Sequence, residues 1–234
     1  MNNLFFIEGE KFIRDIPANW EIVETVCSES YIKKNPNVDY KNEPLVIKDS
    51  LFERVSDTKT PQGIMAVCRK KVYDADEIFA KKILLIVYAE GINDPGNFGT
   101  IIRTAHACGA DGLFLSENSV DLYNPKVLRA SAGSFFHIPV VRDVDFKSFA
   151  ERLKKSNIII TAAHPGGRVL PYDIDFKVSA AIVIGNEARG LSAEVVTSAD
   201  YLIKIPMPGG ADSLNASVAC AVLLYEAVRQ RMVK

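Results

Sequence analysis

A chain of 234 residues, 48% apolar and 24% charged, has the balance of an ordinary globular protein and the length for one large domain or two small ones. Its formal net charge of -1 provides no overall cationic field, so a nucleic-acid partner would have to be met by a local patch. The 4 cysteines and 3 histidines are scattered without metal-ligand spacing, which suggests neither a zinc site nor a disulfide framework and favours reduced thiols in a cytoplasm.

The opening apolar stretch "LFFI" is short, is followed by Glu8 and Glu10, and lacks a basic flank, so it is not read as a signal peptide. "EGEKFIRDI" predicts a short helix, and "WEIVETVCS" and "EPLVIKD" predict strands. Asp57 to Lys71 reads as a turn, with Pro61 and Gly63 as its turn residues, leading into a further strand. Lys71 to Lys82 is polar and charged, and the domain boundary falls there: a small domain over 1–75, a linker over 76–82 and a larger domain over 83–234.

From Ile83 strands and helices alternate. "ILLIVYAE" is a continuous apolar run, as expected of a strand buried on both faces. "NFGTIIRTAHACGA" follows as a helix ended by Gly109, then "GLFLS" as a strand, "NPKVLRASAGS" as a helix and "IPVVRDV" as a strand. "FKSFAERLKKS" is an amphipathic helix, and "NIIITAAH", "SAAIVIGNE" and "YLIKIP" are short apolar strands. The last helix, from Ala216 to Val228, places Val218, Ala221, Val222, Tyr225 and Val228 on one face. It carries Glu226 and is followed by Arg229 and Arg231, so it is not read as a membrane span. Successive βα units predict an α/β domain with a mainly parallel sheet flanked by helices.

Sites in such sheets sit at the carboxyl ends of strands, and three of these ends are unusual. The first strand leads into "AEGINDPGNFGTIIRTA", with Asn93, Asp94, Gly96, Asn97 and Gly99 expected in the loop and Arg103 one turn into the helix. A later strand leads into "VIGNEARGLS", with Gly185, Asn186, Glu187 and Gly190 in a turn. The last leads into "IPMPGGADSLNAS", with Asp212, Ser213 and Asn215 at the mouth of the final helix. Taken one at a time, these residues are accounted for by turns, a solvated helix arginine and helix caps. Taken together they describe a polar pocket at one edge of the sheet. A dinucleotide fingerprint is broken at "GNFGTII", although Glu117 follows the second strand, so a nicotinamide-dependent oxidoreductase stays as an alternative. P-loop, GxSxG and HExxH signatures are missing.

As a set and in order, "NDPGNFG" with Arg103, "IGNEARGLS" and "IPMPGGADSLNASVA" resemble the three motifs of the SpoU/TrmH family of RNA ribose 2′-O-methyltransferases, in the SPOUT superfamily. The resemblance runs from Ile83 to Arg231, and "TKTPQGIMAV" resembles part of the small α+β substrate-binding domain of rRNA-directed members, here slightly shortened at its start. It implies a deep trefoil knot, a rare exception to unknotted topology. It also implies S-adenosylmethionine held in the knot, a homodimer packed through the knotted region, and RNA, ribosomal rather than transfer RNA, as substrate. Neither a metal nor a membrane is implied. Carried over by motif, Gly185, Ile205 and Leu214 would contact the adenosine part, and Thr161, Ala162, Asn186, Glu187, Gly190, Met207 and Ser217 would complete the cofactor wall. Arg103, Asn97, Glu187, Ser213 and Asn215 match positions associated with catalysis and with holding the target ribose and phosphate. A non-catalytic RNA-binding paralogue would be marked by loss of Arg103, Glu187 or Asn215, and all three are present.

Methyl transfer to a ribose hydroxyl is an in-line displacement that requires alignment and removal of a proton. Arg103 is the family's candidate base, but a guanidinium stays protonated and has no acceptor. A bidentate grip on the 3′-phosphate and stabilisation of the attacking oxygen suit it better. Glu187 would then orient Arg103 or accept the proton, and the sequence leaves both roles open.

Overall fold

The computed structural model describes residues 3–38, 40 and 42–232, and the chain divides into two compact units, Met1–Val72 and Tyr73–Lys234. In the first unit, β1 (Leu4–Glu8) leads through α1 (Glu10–Arg14) to β2 (Ile22–Ser28), α2 (Glu29–Lys34), β3 (Leu45–Ile47), α3 (Asp49–Val55) and β4 (Ile64–Arg69). The sheet order is β1-β4-β2-β3, with β4 antiparallel to both of its neighbours. The opening "LFFI" is thus an edge strand: Phe5 and Ile7 point into the core while Phe6 faces outward. Gly63 has a turn backbone at φ +88, and a Cβ there would lie 2.7 Å from Ser28 Oγ, so both conformation and space demand glycine.

The second unit begins earlier than its composition implies. The stretch expected as a linker contains α4 (Ala75–Phe79), capped by Asp74, whose side chain accepts from Asp76 N. Ile78 is buried in the core of this unit, and the Phe79 ring sits 6.0 Å from Phe114 and 6.3 Å from Phe149, edge-on to the latter. Its charged outer face hides that role in the sequence. The remaining elements are β5 (Leu85–Ala89), α5 (Pro95–Ala107), β6 (Gly112–Leu115), α6 (Pro125–Ala130), β7 (Val140–Val141), α7 (Phe146–Lys155), β8 (Ile159–Ala163), β9 (Ala180–Ile184), α8 (Ala193–Ser198), β10 (Tyr201–Ile203) and α9 (Ala216–Met232), with a short 3-10 turn at Ser134–Phe136.

Among the described residues this sheet is wholly parallel, in the order β10-β8-β9-β5-β6-β7. All five residues of β5 and of β9 are buried, as expected of central strands covered on both faces. After β8 the chain crosses β10 at close range. A Cβ on Gly167 would lie 2.5 Å from Leu202 O, while Val169 pairs with Ile203 and accepts from Lys204 N at 2.8 Å.

The final helix buries a different face from the apolar stripe that its spacing picks out. Its buried side is Ala216, Ser217, Cys220, Leu223, Leu224, Ala227 and Gln230, packed toward α5 and the sheet. Val218, Val222 and Tyr225, three members of the stripe that the spacing puts on one face, are 46%, 39% and 59% exposed. A helix apolar on two sides gives periodicity no unique inward face.

Candidate active site

The strand order brings the three polar loops to one edge, and local capping then shapes each. After β5, Asp94 caps α5 by accepting from Asn97 N at 2.7 Å, with Pro95 in the first turn. The helix therefore starts at Pro95, and Gly96, Asn97 and Gly99 lie inside it rather than in the loop. Gly99 faces α6, where a Cβ would be 2.4 Å from Ala130 Cβ and 2.7 Å from Val127 O.

After β9 the chain folds back on itself. Asn186 and Gly190 exchange backbone hydrogen bonds of 3.1 and 2.9 Å, with Gly190 at φ +69. Asn186 Oδ1 accepts from Ala188 N and Arg189 N, each at 2.9 Å, and its Nδ2 donates to Gly91 O at 2.6 Å. Glu90 accepts from Ser192 N at 2.8 Å, a second tie between the first two loops. Gly185 is required by this turn itself, because a Cβ would lie 2.6 Å from Gly190 C and 2.8 Å from Leu191 Cδ2.

After β10, Asn215 caps α9: its Oδ1 accepts from Ser217 N at 2.9 Å and from Ser217 Oγ at 2.7 Å. Its other end reaches across the site. Asn215 Nδ2 donates to Asn97 Oδ1 at 2.8 Å, and Asn97 Nδ2 donates to Glu187 Oε1 at 2.7 Å. A directed chain of hydrogen bonds, Ser217 to Asn215 to Asn97 to Glu187, thus joins all three loops and ends on a carboxylate. The direction fixes both amide orientations, since an ionised carboxylate only accepts.

Beside this relay lies a cavity of about 640 Å³, walled by Ala163 at the end of β8, by His164 and Pro165 in the loop that follows and by residues of 203–214, with Ala219 from α9. Ile205, Met207, Ser213 and Leu214 line it. Among the described residues, the backbone groups of Ile205 and Leu214 make no hydrogen bond. The other expected cofactor residues stand off this wall. Thr161 and Ala162 are fully buried, and Thr161 Oγ1 donates to Ala181 O at 3.0 Å. Gly185, Asn186, Glu187 and Gly190 form the neighbouring turn, and Ser217 belongs to the α9 cap. Ala163, His164 and Pro165 are wall residues that the motifs do not name, although the Pro-Gly-Gly punctuation of 165–167 at a strand end is the same signal that marks the other loops.

Arg103 lies six residues beyond Asn97, roughly 9 Å along the helix axis. It is exposed and, among the described residues, its side chain has no hydrogen bond or ion pair. Glu187 engages Asn97 rather than Arg103; orienting Arg103 is one of the two roles that the sequence leaves open for it. Among the described residues no cluster of His, Cys, Asp and Glu could hold a metal ion, and no helix is long and apolar enough to cross a membrane.

A parallel sheet crossed at its edge strand by the 164–169 loop, with three polar loops converging on its carboxyl edge, defines the SPOUT class of α/β fold, including its deep trefoil knot. The chain belongs to the SpoU rRNA methylase family, whose model matches residues 84–225, and residues 1–66 match an MRM3-like substrate binding domain. It is 35% identical over 226 residues to the 23S rRNA (guanosine(2553)-2′-O)-methyltransferase RlmP of Bacillus subtilis (strain 168), covering 95% of this chain and 88% of that one. With the 23S rRNA (uridine(2479)-2′-O)-methyltransferase of Streptomyces viridochromogenes it shares 38% identity over 189 residues, 79% of this chain and 66% of the relative. The crystal structure of the SpoU methyltransferase AviRb from Streptomyces viridochromogenes in complex with the cofactor AdoMet superposes with a TM-score of 0.89 at 30% identity, covering 99% of this chain and 91% of that one.

Proposed function

We infer that the protein methylates a ribose 2′-hydroxyl of RNA, ribosomal RNA ahead of transfer RNA, with S-adenosylmethionine as donor. The observation that carries this reading is the relay from Ser217 to Glu187 beside the 640 Å³ cavity, because it ties the three family motifs into one site. The cavity is within the size range of small-molecule sites and has an apolar wall with a few polar groups. The unpaired backbone groups of Ile205 and Leu214 would supply donors and acceptors to the adenosine part, with Met207 on the same wall. S-adenosylmethionine, when bound, supplies an activated methyl group on sulfur. Thr161, Ala162, Gly185, Asn186, Gly190 and Ser217 act on the cofactor through the shape of the strand and turn behind the wall.

The chain's own work is alignment and charge. Asn97 holds Glu187 Oε1 and leaves Oε2 as the acceptor for the hydroxyl proton. Arg103 grips the 3′-phosphate with its planar fork and stabilises charge growing on the attacking oxygen. Ser213, on the cavity wall, and Asn215 hold the ribose side. The first unit selects the RNA, in keeping with its match to a substrate binding domain. A homodimer through the knotted unit is supported by the outward stripe of Val218, Val222 and Tyr225 on α9, too apolar for a face left in water. A cytoplasmic site of action fits cysteines that form no disulfide among the described residues.

The test is single-turnover methyl transfer to ribosomal RNA by Arg103→Ala and Arg103→Lys, with S-adenosylmethionine binding measured by calorimetry. Arg103→Ala is expected to lose orders of magnitude in rate while keeping cofactor affinity, and Lys should rescue poorly because it lacks the fork. A wild-type rate for Arg103→Ala removes the residue from the mechanism.

A further inference from the structure

One turn beyond Arg103 on α5, the His106 ring stacks on His137, with ring centroids 5.1 Å apart and planes within 10° of parallel. The pair is fixed from both sides. His106 Nδ1 shares a hydrogen bond of 3.2 Å with Ser134 Oγ, and Phe135 and Phe136, which precede His137, are buried. Both histidines are nevertheless exposed. Partial burial and the neighbouring His137 push the pKa of His106 down, which favours a neutral ring. Two imidazoles held parallel at a surface, with their side chains oriented by the core beneath, form a flat aromatic platform.

We propose that the His106–His137 stack is a platform for an unpaired nucleobase next to the nucleotide whose phosphate Arg103 grips. The proposal rests on the RNA reading of the preceding section and adds a binding subsite to it. Single-stranded RNA is held by stacking splayed bases on aromatic side chains, histidine among them, while cations hold the backbone. Here the two kinds of group are three residues apart on one helix, about 4.5 Å along its axis, which is within the reach of one nucleotide. Stacking accepts any base, so the platform contributes affinity and register and leaves base choice to other contacts.

The test uses the full-length protein and a short fluorescent oligouridylate read by anisotropy, beside a strand of equal length lacking the bases. His106→Ala and His137→Ala are expected to weaken oligouridylate binding about tenfold, the scale of one stacked base. His137→Phe keeps a flat ring and should bind like wild type. The abasic strand should bind all four proteins alike, with S-adenosylmethionine affinity and oligomeric state unchanged. Undiminished oligouridylate binding by both Ala variants overturns the proposal, as does an equal loss on the abasic strand or no wild-type binding at all. Conversion of the Ala variants to monomers overturns it too, because the pair would then be a subunit contact. An enzyme that stacks the oligomer yet never methylates RNA would leave the platform standing and remove the methyl-transfer reading.

Discussion

Gly99→Ala puts the packing beneath the site to a quantitative test. In an open helix this change stabilises by about 0.8–1.0 kcal/mol through helix propensity. At Gly99 the new methyl would lie 2.4 Å from Ala130 Cβ and 2.7 Å from Val127 O. One of these contacts is backbone, so a rotamer change cannot relieve it and α5 must move off α6. Overpacking of this kind costs typically about 1–3 kcal/mol, which exceeds the propensity gain over most of that range. The net loss of roughly 0–2 kcal/mol corresponds to a fall of up to about 8 °C in melting temperature for a chain of this size. Because α5 also carries Asn97 and Arg103, methyl transfer should fall more than stability does. Ala130→Gly in the same molecule removes the closer contact and leaves the one to Val127 O, so it should restore part of the loss. Thermal unfolding followed by circular dichroism, with single-turnover transfer alongside, measures both effects. A melting temperature above wild type for Gly99→Ala, the outcome of an open helix, refutes the close α5–α6 approach and the reason given for the glycine.

Asn97→Ala should lower stability by only about 1 kcal/mol, since the relay is largely exposed, yet reduce cofactor affinity and transfer together. In a double-mutant cycle with Glu187→Ala, coupling of about 0.5–3 kcal/mol is expected, and strictly additive losses would dissolve the relay. Val222→Glu places a charge on the outward stripe of α9 and should yield monomers by light scattering, with the circular dichroism spectrum unchanged; a persistent dimer would move the interface elsewhere. Among the cysteines, Cys27, Cys68 and Cys220 are fully buried, with burial pushing the Cys27 thiol up to about 11, whereas Cys108 is partly exposed. Alkylation of the native protein should therefore modify Cys108 first, as read by peptide mass spectrometry, and prior labelling of Cys220 would contradict the packing of α9.

The βα rhythm after Ile83, the buried central strand "LIVYA" and the three polar strand ends are all legible in the sequence, because burial on both faces and turn chemistry are local properties of the chain. The α4 helix is not, since its charged face looks like a linker until Ile78 and Phe79 meet Phe114 and Phe149. Neither is the orientation of α9: Val218, Val222 and Tyr225 make as good a stripe as Cys220, Leu223, Leu224 and Ala227, and only packing against α5 chooses between them. The motifs named Asn97, Glu187 and Asn215 as separate residues. Their hydrogen bonds span 90 and 118 positions of sequence, and such partners are chosen by the crossing of strands and loops, which no local pattern encodes.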